Sequence, residues 1–117
     1  MDTNQIQVTA TVPAIPAARL PEFKGLAAKA MEQTKTEVGS LQYDWFFNAD
    51  ETLCIVREAY ADSDAVLAHM GNLGSLLGEL MEIGGGLGVE VFGTPSASLL
   101  EAAAALQPQV FKPFQGK

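Results

Sequence analysis

The chain has 117 residues, 48% of them hydrophobic, and a net charge of −7. That length fits one domain with a single core, and the apolar content is too high for a disordered polymer. The acidity argues against nucleic acid as a partner, because phosphate binding needs clustered Lys and Arg.

The charge is also uneven. Between residues 37 and 101 there are eleven Asp or Glu and one base, Arg57. Such a surface repels anionic polymers and membranes, which points to a small molecule or another protein as partner. No apolar run approaches the roughly 18 to 20 residues that span a bilayer. Met1 to Gln5 lack the basic and apolar regions of a secretory signal, and the single cysteine, Cys54, has no internal partner. A cytoplasmic protein is the expectation.

Residues 5–12, QIQVTATV, alternate polar and apolar, which predicts a half-buried strand that Pro13 and Pro16 end. A helix is predicted over about 19–37, with Leu20, Phe23, Leu26, Ala27, Ala30 and Met31 at helical spacing. Gly39 reads as its left-handed stop. Residues 41–48, LQYDWFFN, alternate again, and 52–60 form a second strand across the turn Asn48-Ala49-Asp50-Glu51. A two-residue Ala49-Asp50 turn would set Tyr43 opposite Val56 and Trp45 opposite Cys54. Tyr43, Trp45, Val56, Glu58 and Tyr60 therefore share one face.

Asp62-Ser63-Asp64 starts a helix over about 63–82. Its inner stripe is Val66, His69, Met70, Leu73, Leu76, Leu77 and Leu80, and Gly71, Gly74 and Gly78 predict a break near 71–75. The Gly84–Gly88 run reads as a flexible connection, since a phosphate loop would open a helix rather than precede a strand. A last strand is expected at 89–92, a short Ala-rich helix at about 96–106, and a polar tail at 107–117. The order β-α-β-β-α-β predicts an α+β, ferredoxin-like split βαβ sandwich with a core over about 5–105. One sheet face is left bare, so a homodimer through sheet faces is expected.

The stretch "TEVGSLQYDWFFNADETLCIVREAYADSDAVLAHM" resembles the signature of the antibiotic biosynthesis monooxygenase domains, a family of dimeric α+β barrels. Glu37, Gly39, Tyr43, Glu58, Tyr60, Asp62, Ala65 and His69 match its pattern, and "VEVFGTPS" resembles its last strand. Val38 departs from it, standing where the family usually has Pro. The resemblance implies a pocket within each subunit, between helices and sheet. It also implies cofactor-free oxygenation of phenols or quinols, although the family includes isomerases and proteins without known activity.

His69 is the single histidine of the chain. On the predicted face it would come down beside Glu58, in a pocket walled by Tyr43, Trp45, Tyr60 and Met70. A His–Glu pair can fix a tautomer and supply a base near neutral pH. The blander role of His69 is a hydrogen-bonded core residue, and the rival function is a ligand-binding or interaction module without catalysis. Arg57, on the opposite face, is expected to pair with Asp44, and Cys54 to be an inert buried thiol. One His without a Cys cluster makes a metal site improbable, and no cofactor motif is present.

Overall fold

The first alternating segment becomes the middle of a sheet. In the computed structural model, which describes residues 3–117, β1 (Ile6–Val12) lies between two antiparallel partners, β3 (Cys54–Tyr60) and β4 (Gly88–Phe92). β2 (Ser40–Phe47) pairs antiparallel with β3 on one flank. On the other flank β5 (Gln109–Phe111) pairs parallel with β4, giving the order β2-β3-β1-β4-β5. A 3₁₀ turn at Ala17–Arg19 leads into α1 (Leu20–Thr34). The remaining helices are α2 (Ser63–Leu73), α3 (Ser75–Gly84) and α4 (Ala97–Ala103).

The inward residues of alternate positions, among them Val8, Ala10, Val12, Tyr43, Val56 and Val91, are buried beneath the helices. Phe23 of α1 is fully buried and meets Trp45 and Phe47 edge-on, each at 6.1 Å between centroids. Burial of one such ring contributes about 1.5–3 kcal/mol, and each edge contact about 0.5–1.5 more. A second cluster joins Ile6, Tyr60, Val66, Val91 and Leu99 under α2 and α4. This is the α+β sandwich expected from the pattern. No helix among the described residues is long and apolar enough to cross a membrane.

Five details differ from the sequence expectation. The hairpin between β2 and β3 pairs Tyr43 with Glu58 and Trp45 with Val56, a slip of two residues. The cause is side-chain chemistry in the loop. Asn48 Oδ1 accepts from the Leu53 N–H at 3.0 Å and Asp50 Oδ1 from the Thr52 N–H at 3.2 Å, so 49–52 are all loop. A slip of two leaves every side chain on its expected face.

The tail also holds a strand, β5, whose Phe111 stacks on Phe92 at 5.1 Å. Arg57 and Asp44 are direct neighbours across the hairpin, yet their charged groups do not come within ion-pair distance; Asp44 accepts from Gln42 Nε2 at 3.0 Å. Gly84 is buried against Val12 rather than flexible, because a Cβ there would meet Val12 Cγ1 at 1.8 Å.

Gly39 has no left-handed conformation; α1 ends earlier, at Thr34, and Gly39 serves close approach instead. A Cβ at Gly39 would lie 2.6 Å from the Ala65 Cβ on α2, and the Gly39 carbonyl accepts the Ala61 N–H at 2.9 Å. Gly39→Ala should therefore push α2 off the sheet and cost about 1–3 kcal/mol in chemical denaturation. Adding Ala65→Gly should recover part of that loss, although Gly in a helix costs about 1 kcal/mol by itself. Strictly additive losses would contradict the contact.

Candidate functional site

The site begins where α1 stops. The Thr36 and Glu37 N–H groups bond back to the Gln33 and Thr34 carbonyls at 3.2 and 3.0 Å, a turn that places Glu37 beneath α2. On the opposing side Asp62 caps α2 by accepting the Ala65 N–H at 2.8 Å. His69 follows on the inward face of that helix, 5% exposed.

His69 Nδ1 lies 2.9 and 3.1 Å from the two oxygens of Glu37. A carboxylate accepts, so this contact assigns the ring proton to Nδ1 and leaves the Nε2 lone pair free. Tyr43 sits edge-on to the imidazole at 4.9 Å and Tyr60 is tilted against it at 5.3 Å. On the Nε2 side, Glu58 Oε1 is 3.9 Å away and accepts a hydrogen bond from the Tyr60 hydroxyl.

These environments push the groups in different directions. Burial raises the Glu58 carboxyl to about 7, helped by the charge of Glu37 and opposed by the Tyr60 hydrogen bond. Burial holds the His69 imidazole below its ordinary 6.5, although the charge and hydrogen bond of Glu37 pull it upward. The Tyr43 phenol is raised, first by burial and then by the charge of Glu58, so it stays a donor at neutral pH. Cys54, buried, is raised to about 11 and stays a thiol.

His69, Glu58, Tyr43, Trp45 and Met70 all line one cavity of about 90 Å³ between the sheet and α2, α3 and α4. The rest of its wall is aliphatic, with Val8, Val56, Leu73, Leu80 and Leu99 among the residues that enclose it. Trp45 carries a buried Nε1–H that has no hydrogen-bond acceptor in the protein. An apolar cavity of roughly 150 Å³ holds a benzene, so a ring-sized ligand requires some widening of this one.

The expected residues thus come together with two changes of position. Tyr60 is fully buried behind Glu58 and His69 and does not line the cavity. Glu58, expected to orient His69, instead faces the other nitrogen, and the orienting carboxylate is Glu37. Glu37 was visible only as one letter of the family-like signature; the chemical role of Asn72, which also binds Glu37, had no signal in the sequence. Among the described residues no group of three His, Cys, Asp or Glu is placed to hold a metal ion.

No protein-family profile and no curated protein matches the chain. Solved structures do. MupZ from Pseudomonas fluorescens superposes with a TM-score of 0.81 at 27% identity, over 99% of this chain and 94% of that one. A candidate antibiotic biosynthesis monooxygenase from Caulobacter crescentus CB15 superposes with a TM-score of 0.69 at 24% identity, over 80% and 92% of the two chains. Rv0793 from Mycobacterium tuberculosis gives 0.66 at 19% identity, over 80% and 98%. The chain has the ferredoxin-like α+β fold of the antibiotic biosynthesis monooxygenase proteins.

Proposed function

We propose that this protein is a cofactor-independent monooxygenase acting on a small aromatic, a quinol or polyphenol, with His69 as its general base. The observation that carries the reading is an imidazole fixed at Nδ1 by Glu37, with its free nitrogen on the side of an apolar cavity. A substrate hydroxyl in that cavity loses its proton to Nε2, and the imidazolium so formed lies between Glu37 and Glu58. The electron-rich oxyanion then reduces dioxygen. For a quinol the balance is quinol plus O₂ to hydroxyquinone plus water: one oxygen atom enters the ring and the other leaves as water. Glu58, protonated below about 7, supplies a proton to the departing oxygen. Tyr43 and Trp45 offer donor groups to a substrate oxygen, and the aliphatic wall keeps bulk water from the oxyanion.

His69→Gln should keep the fold and lower turnover of the quinol it accepts by about 10²- to 10⁴-fold. Full turnover with only a lowered melting point would assign His69 to the fold. Loss of ligand binding with no turnover in the native protein would favour a binding module.

Glu58 gives a second, substrate-free prediction. Its folded carboxyl titrates near 7, against 4.5 ordinarily. Between these values the folded state holds more protons, so this group's penalty on stability grows as pH rises and is complete above 7. The difference corresponds to on the order of 3 kcal/mol. Glu58→Gln removes it, and the melting temperature of the variant relative to the native protein should climb from pH 5 to pH 8. A constant difference would contradict the raised carboxyl.

The proposed assembly is a two-fold homodimer through the outer sheet face. Asp44, Arg57, Thr9 and Glu90 lie in register across four strands there, with Phe46 and Phe111 exposed at either end. In the proposed dimer the axis lies so that the Arg57 of one copy meets the acids of the other. Sedimentation should show a dimer at micromolar concentration, and Arg57→Glu should weaken it; a native monomer would refute the assembly.

A further inference from the structure

Gln33 of α1 and Asn72 of α2 are bound to each other twice. Asn72 Nδ2 donates to the Gln33 carbonyl at 2.8 Å, and Gln33 Nε2 donates to the Asn72 carbonyl at 2.7 Å. The same Asn72 amide donates to Glu37 Oε2 at 2.8 Å. Its NH₂ therefore faces two acceptors, which settles the orientation of the amide, because a flipped group would set oxygen against oxygen.

The geometry has a backbone cause. Asn72 lies in the last turn of α2, where a carbonyl has no helical N–H four residues on. The break follows at Gly74, with φ of +54°, and it leaves the Asn72 carbonyl open to a side chain from the neighbouring helix. The Gln33 side chain fills that place, and the Gln33 main-chain carbonyl holds the Asn72 amide in the pose that reaches Glu37.

We propose that Asn72, anchored by Gln33, is a positioning residue that fixes the Glu37 carboxylate against His69 Nδ1 and thereby sets the tautomer of the imidazole. Its functional meaning rests on His69 being the base, but the positioning is independent of any substrate. Without Asn72, Glu37 has one side-chain partner fewer and can rotate away from Nδ1. The imidazole then loses both its fixed proton and the charge that pulls its titration upward.

The lone histidine makes this measurable directly. Nitrogen-15 NMR of the labelled protein reads both ring nitrogens of His69 without interference from another imidazole. In the native protein above its midpoint, Nδ1 should be protonated and Nε2 bare. Asn72→Leu, similar in size and without a donor, should give a mixture of tautomers and lower the midpoint by at least about 0.5 unit. Gln33→Met keeps Asn72 and removes one of its two anchors, so a smaller change of the same sense is expected even if Asn72→Leu does not fold. A native tautomer and midpoint in the folded variants would overturn the proposal. With a quinol substrate, Asn72→Leu should lower kcat and leave KM nearly unchanged. If the tautomer shifts while His69→Gln retains full turnover, the positioning stands and the assignment of His69 as base fails.

Discussion

The buried pairing of Glu37 with His69 is the constraint around which this molecule is arranged. Two polar side chains, 8% and 6% exposed, meet in an otherwise apolar layer. Burial of such groups is tolerable only when each has its partners. The remaining geometry serves that requirement. α1 must stop at Thr34 so that the next turn delivers Glu37, and α2 must approach closely enough that only Gly39 fits beneath Ala65. Asn72 and Gln33 then satisfy what the imidazole leaves open.

The same arrangement separates two carboxyl groups by environment. Glu37 has His69 and Asn72 as partners, whereas Glu58 is enclosed by the cavity wall and held by one phenol. The imidazole between them meets a hydrogen-bonded carboxyl group at Nδ1 and faces a buried one, raised to about 7, at Nε2. MupZ has the same fold over nearly the whole chain, and the resemblance to it and to the other structures supports fold and not reaction.

Much of this was legible because periodicity is a strong signal. The inward faces of β1, β2 and β3 follow from simple alternation, and they survive even the two-residue slip in the hairpin. The break at Gly74 follows from three glycines in one helix. What was not legible depended on polar side chains acting over distance. The Asn48 and Asp50 bonds lengthened the loop, and β5 is three exposed residues whose strand character comes from pairing with β4. Glu37 and His69 are 32 positions apart, on separate elements, so no spacing rule joins them. Glu58 was the nearer choice by face, and it does line the cavity, but the slip in register and the pose of α2 decide which carboxylate meets which nitrogen.

The interruption at Gly74 has a mechanical consequence. The helical ladder does not continue from α2 into α3, so the two walls of the cavity are separate helices. The wall that carries His69 is tied to α1 by the Gln33 and Asn72 side chains, each donating to the main-chain carbonyl of the other residue. The wall that carries Leu77 and Leu80 is held by apolar packing, by the Ala14 N–H bond to the Gly84 carbonyl at 2.9 Å and by the solvent-exposed Arg19–Glu82 ion pair. The Gly74 break thus frees the pose of α3 from the helical ladder that aims the imidazole, so the two walls of the chamber are set by different contacts.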